Sequence, residues 1–298
     1  MANPQKIAQS ISDSVEDFNK SIPAVQKSIL SEIELLLKDI DTKNGSITAN
    51  AKNVRLISQI KQRIEKLILK NKKYKKNLTK YLESFNSITE LQNQYFEEIA
   101  KEYKPPKLLA AIREEAISAT YDLLTKAGIT TNLSEPIQDI LRANITSGAK
   151  YSDMLKTVRE YIVGNPEKVG ALDRYARQIT TDSLNQYAAQ QSDLVTNDLD
   201  LQWFEYVGAL IETSRPFCDA LHKKRYVHKS ELPKVVEGDF KEFKEIDGKI
   251  YEKTGLPEGM IEGTNATNFK VYRGGWNCGH QLVPVSEISV PKELRAKF

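Results

Sequence analysis

Both cysteines and all three histidines of this 298-residue chain lie between positions 218 and 280. They form two small groups: Cys218 to His222 with His228 close behind, and Cys278-Gly-His280. Cys218 and His222 stand at i and i+4, a spacing that puts both on one face of a helical turn. Cys278 and His280 flank Gly279, in a loop able to bend both donors toward one point. Two sulfurs and two imidazoles suit a tetrahedral zinc ion, and a closed site of that kind contributes folding energy to a small domain. Cys218, His222, Cys278 and His280 are therefore the candidate metal ligands, and zinc the candidate cofactor. Two other readings fit the same residues. The cysteines could be small buried apolar side chains beside hydrogen-bonding histidines, or Cys218 a nucleophile served by a histidine base.

Just before the first cysteine runs Thr213-Ser-Arg-Pro-Phe-Cys218. Arg215 precedes a proline, which pushes its backbone out of the helical region. Its planar fork there can bridge loop carbonyls or carboxylates; the plainer alternative is a strand-to-helix turn capped by Ser214. A second charged feature lies far upstream. Residues 52–80 carry eleven Lys or Arg against the single Glu65, a net of +10, in a chain whose total is only +3. Lys66, Lys70, Lys72, Lys73, Lys75, Lys76 and Lys80 are the candidate contacts for nucleic-acid phosphates or an acidic partner; a solvated helix face is the alternative. The chain has no phosphate-cradling glycine loop, no His-Glu-x-x-His and no Gly-x-Ser-x-Gly.

The elements that must carry these groups are mostly helical. Ile22, Ile29, Ile33, Leu36 and Ile40 line one face of a helix over 22–41, closed by the Asn44-Gly45 turn signal. From Ile57 to Ile99 apolar residues recur at three- and four-residue steps, with no Pro or Gly between Ala51 and Tyr103. That pattern predicts one helix of roughly 70 to 80 Å. Its narrow seam must be buried by a coiled-coil partner or by the preceding helix in a hairpin, with Asn71 and Gln92 setting register. Pro105-Pro106 ends it. Shorter helices are expected over 107–127, 135–147, 151–163 and 168–199, with Ser134 as a cap and Gly148 as a stop. After residue 200 the texture turns β-rich and glycine-rich, with strands expected at 203–211, Val227, Ile250-Tyr251 and Leu282-Val283. The expected class is mainly α: a long helical hairpin or coiled coil (1–104), a helix bundle (105–199) and a small α+β domain (200–298) holding an irregular insert, 229–270.

The N-terminus lacks an apolar leader, and no stretch approaches the roughly 20 apolar residues of a membrane span. These features predict a chain kept in a reducing cytoplasm, with free thiols.

The order of four segments is similar to a known family. Leu172 to Asp182, Trp203-Phe-Glu-Tyr-Val-Gly208, Ser-Arg-Pro-Phe-Cys218 and Gly275-Trp-Asn-Cys-Gly-His280 with Leu282-Val-Pro-Val285 resemble the minor head proteins of tailed bacteriophages, the phage Mu F-like head-morphogenesis family. The likeness covers about residues 168–290, and Gly279 stands where members usually carry arginine. It implies a virion component in few copies, associated with the portal and capsid interior and assembled in the host cytoplasm. It further implies a structural rather than enzymatic role in head morphogenesis or DNA packaging. The lysine face would then lie near packaged DNA. The alternative from the residues alone is a zinc-stabilised nucleic-acid-binding module.

Overall fold

Apolar residues at three- and four-residue steps become helices in nearly every stretch that carries them. The computed structural model describes all residues except Met1, Asp247 and Ile250. The protein is mainly α, with a small α+β part at its C-terminal end. Helices α1 (Pro4–Asn19) and α2 (Ile22–Leu37) lead into a two-residue hairpin of β1 (Thr42–Lys43) and β2 (Ser46–Ile47). Asn44 and Gly45 both take positive φ there, 53° and 78°, as the tight primed turn requires. Next come α3 (Ala51–Lys70), α4 (Lys72–Ile99), α5 (Leu109–Thr125), the single turn α6 (Ala127–Ile129), α7 (Glu135–Ser147) and α8 (Tyr151–Val163). A second small hairpin, β3 (Gly164–Asn165) with β4 (Lys168–Val169), precedes the long α9 (Ala171–Asp198).

Two compact units can be drawn: Val15–Leu82 with Ser118–Ile179, and Met1–Ser14 with Glu83–Ile117 and Thr180–Phe298. Neither coincides with the consecutive stretches 1–104, 105–199 and 200–298, because the unit boundaries fall within the helices α1, α4, α5 and α9.

In the first unit α2, α3, α7 and α8 contact one another in a closed ring. Ile29 and Ile33 of α2, Ile60 and Ile64 of α3, Ile137 and Leu141 of α7, and Met154 and Val158 of α8 are all buried. The α2–α3 hairpin thus forms as its pattern predicted. Asn53 holds its corner, donating to the carbonyls of Asp41 and Thr48 at 3.0 and 2.7 Å.

The single helix expected over 51–103 is broken at Asn71. The Asn71 backbone is extended, with φ −68° and ψ 109°, and its N–H still closes α3 on Leu67 and Ile68. Its side-chain oxygen accepts from the Tyr74 N–H at 2.9 Å, capping α4. The short amide competes with the helical ladder for the same donors, so Asn71 is a cap and not a seam residue paired with a copy. The seam itself is met within the chain. Tyr74 and Tyr81 pack on Phe18 at 5.5 Å, and the Tyr74 hydroxyl donates to the Leu124 carbonyl. Ser134 does not cap α7 either: its backbone is already helical after a π-turn, and its hydroxyl is buried without a partner. Gly148 ends α7 in the left-handed conformation, as expected.

In the second unit α4 lies along α9. Phe85 packs on Tyr187, and Gln92 donates to the Ala188 carbonyl at 3.0 Å and Ser192 Oγ at 2.8 Å. Gln92 therefore fixes a neighbour in the same chain. The C-terminal sheet is antiparallel in the order β6 (Tyr226–His228), β5 (Trp203–Val207), β7 (Gln281–Val285). Its register sets Trp203 against His228 and Val285, and Val207 against Gln281. All of β5 is buried. Helix α10 (Pro216–Lys224) packs on β5.

The stretch 229–270 is more ordered than the irregular insert expected. It contains α11 (Leu232–Val236), α12 (Lys241–Ile246) and the start of α13 (Phe269–Tyr272). It also supplies Val235, Phe240, Phe243 and Phe269 to the core around Phe217. Apolar residues spaced through a glycine-rich segment made this core contribution hard to see. In place of a strand, Tyr251 makes an isolated bridge with Pro257, and Ile250 lies outside the described residues. The last helix is α14 (Lys292–Arg295).

Candidate functional site

Pro216 occupies the first turn of α10, and Arg215 before it is extended, with φ −71° and ψ 146°. That entry aims the Arg215 fork across at a second loop, where its two terminal nitrogens donate to the carbonyls of Gly274 and Trp276, both at 2.7 Å. Ser214 does not cap α10; its oxygen accepts from the Ile211 N–H within the preceding turn. Arg215 thus ties the start of α10 to the loop that carries the second cysteine.

That tie brings the rare residues together. Cys218 on α10, and Cys278 and His280 just before β7, are buried, with their ligand atoms all within 4.8 Å of one another. Cys278 Sγ lies 3.8 Å from His280 Nδ1 and 3.8 Å from the Tyr206 hydroxyl on β5. The His280 ring stacks on Tyr206 at 5.0 Å, and its Nε2 is buried without a partner. Gly274 closes the group. A Cβ placed there would sit 2.6 Å from Cys218 Sγ and 3.1 Å from Cys278 Sγ, so only a glycine lets the loop approach both sulfurs.

His222 is the exception to the four expected ligands. It is exposed, its ring centroid is 6.3 Å from that of His280, and it stands outside the group of converging donors. Residues at i and i+4 share a helix face but need not share a depth. His228 serves elsewhere, accepting from the Ser230 N–H through Nδ1 at the start of a 3-10 turn.

The two sulfurs shift in opposite directions. The hydrogen bond from Cys218 draws Cys278 well below the ordinary thiol value; burial opposes this, and His280 and Arg273 assist it. Cys218 is pushed up, first by that same hydrogen bond and then by burial. Cys218, the nucleophile considered above, is buried and its thiol is pushed up, which suits attack poorly. Burial raises the Tyr206 phenol, so its hydroxyl also stays protonated.

Around this group lies a polar shell that the sequence did not announce. Asp182 on α9 accepts the Asn277 N–H at 2.6 Å through one oxygen, and its other oxygen is buried without a partner. Arg273 is 1% exposed and donates to the Asn185 carbonyl at 3.1 Å. Gln281 donates to Asn185 as well. Charged residues are common in this chain, and nothing in the types or spacing of Asp182 and Arg273 marks them as buried.

Burial is the first cause of the raised carboxyl of Asp182, held at about 6, against the opposing pull of the Asn277 N–H and Arg273. A carboxyl with a raised folded-state value is held most favourably when neutral. Its contribution is fully present below pH ~4 and is lost as pH rises through about 6. Asp182→Asn keeps an acceptor oxygen but cannot ionise. Its stability relative to wild type is expected to improve by up to about 2 kcal/mol between pH 4 and pH 7. Urea denaturation at the two values measures this, and a pH-independent difference contradicts it. Gly274→Ala is expected to cost about 1–3 kcal/mol by overpacking against the two sulfurs, read by the same denaturation at neutral pH.

The seven lysines fall on the end of α3 and the start of α4, and all are exposed. Lys80 pairs with Asp17 at 2.7 Å; the other six form no ion pair among the described residues. Because α3 ends at Asn71, the charges are carried by two helices rather than one. No helix among the described residues is long and apolar enough to cross a membrane. Comparison with family models, curated proteins and solved structures finds no match for this chain.

Proposed function

We propose that this chain is a structural, non-enzymatic minor head protein of a tailed phage. It acts in head morphogenesis, associates with portal and capsid subunits on the capsid interior, and is assembled in the host cytoplasm. One observation carries the reading. The segments on which the resemblance rests are far apart in sequence, yet Asp182, Tyr206, Arg215, Cys218, Cys278 and His280 from them meet around one buried group. A chance likeness of scattered short motifs has no reason to converge in space. The groups that do converge are engaged in holding the chain together. Arg215 bridges two carbonyls and Asp182 accepts a loop N–H, while both sulfurs are buried. Such an arrangement favours a connecting module over one that binds and releases a substrate.

Within this role the helical faces meet the protein partners and the lysine face meets packaged DNA. The test is co-expression with the portal and major capsid proteins of a tailed phage, followed by gradient sedimentation. The chain is expected to travel with portal-containing heads at a fixed ratio. If it stays at the top of the gradient while heads assemble without it, the reading fails.

A further inference from the structure

We propose that Cys218, Cys278 and His280 hold one zinc ion, bound by two thiolates and a neutral imidazole, with no part played by His222. A zinc ion with Zn–S of about 2.3 Å and Zn–N of about 2.0 Å spaces its ligand atoms roughly 3.5 to 3.8 Å apart. The Cys278–His280 edge is 3.8 Å, and the three donor atoms lie within 4.8 Å of one another. Two sulfurs and one imidazole nitrogen suit this borderline-soft divalent ion, whereas a calcium or magnesium site would present oxygens.

Three features of the surroundings point the same way. Gly274 leaves the two sulfurs a clearance that any side chain would fill. Cys218 and Cys278 face one apolar core, with the buried His280 ring beside them. A divalent ion bound by two thiolates and a neutral imidazole is a neutral centre, which such a core holds without an uncompensated charge. Lastly, Cys218 and the Cys278–His280 pair lie on either side of the 229–270 stretch. An ion joining them would tie its two ends as a cross-link does, restricting the unfolded chain.

The site does not depend on the head-protein role. Metal content is read on the purified protein alone, and particle association is read on heads, so either can fail while the other holds.

The experiment uses the full-length chain purified under reducing conditions. Elemental analysis is expected to give about one zinc per chain, retained by His222→Ala and lost in Cys278→Ser and His280→Ala. Because those two variants could lose metal by misfolding, cobalt exchanged into the wild-type protein provides a second reading. It is expected to show intense tetrahedral d–d bands and a thiolate-to-cobalt charge-transfer band. Removing the metal with a chelator is expected to lower Tm by roughly 10 °C and to open the 229–270 stretch to proteolysis. The proposal is overturned by a folded wild-type protein that contains no zinc and gives no cobalt spectrum. A Cys218–Cys278 disulfide in the protein as isolated, or loss of the metal from a folded His222→Ala variant, overturns it equally.

Discussion

Phe217→Ala is expected to cost about 3–5 kcal/mol of stability, the largest effect of any single truncation in the C-terminal part of the chain. Phe217 is 2% exposed, and its ring contacts those of Phe240, Phe243 and Phe269 at 5.7, 5.7 and 6.1 Å. The three partners come from α12, α13 and the turn before α12. The loss therefore falls on the packing of the whole 229–270 stretch against α10, and not on one contact. Both tryptophans, Trp203 and Trp276, belong to the same unit, so their fluorescence during denaturant unfolding reports it directly. A loss under 1 kcal/mol would mean that this stretch is not part of the core that the structure describes.

The second large effect concerns the lysine face. Lys72→Glu, Lys73→Glu, Lys75→Glu and Lys76→Glu together replace four exposed cations at the start of α4, none of them in an ion pair among the described residues. If these four contact phosphates, wild-type affinity for duplex DNA should fall about 100-fold between 50 and 200 mM salt. The four-fold variant should bind far more weakly at low salt and lose most of that dependence. Fluorescence anisotropy with a labelled duplex of arbitrary sequence measures both. Equal binding by the two proteins, or a salt-independent affinity, would remove DNA from the partners of this face. The four side chains are exposed, so folding should be unaffected, which circular dichroism checks.

Much of the architecture was legible because glycine and proline punctuate it. Helices α7 and α8 run over the residues the pattern marked, Glu135–Ser147 and Tyr151–Val163. Gly148, the expected stop, and Gly164 end them, both with positive φ. The break at Asn71 was not legible. The three-and-four rhythm continues through it, and asparagine in a helical stretch reads equally as a polar seam residue or as a cap. Only the bond from the Tyr74 N–H to its side chain separates the two.

The candidate site was visible through rarity: five residues of two scarce types in one fifth of the chain pointed to the right region. Spacing then overreached at His222, because periodicity gives direction around a helix and says nothing of how deep that turn is buried. Asp182, Tyr206 and Arg273 were missed for a different reason. Each belongs to a common residue type, and its part in the site is set by packing between α9, β5 and the 273–280 loop, which only the folded chain brings together. Arg215 lies between these cases. Its position before Pro216 announced an extended arginine, and its fork met two carbonyls as that geometry allows.

The head-protein account is tested most directly by counting this chain in DNA-filled particles purified from the lysate that produces it, using quantitative mass spectrometry against the portal subunit. The account predicts a small, constant number of copies per portal, protected from protease until the particle is opened. Intact, infectious particles devoid of the chain, with all of it left in the soluble fraction, would contradict it.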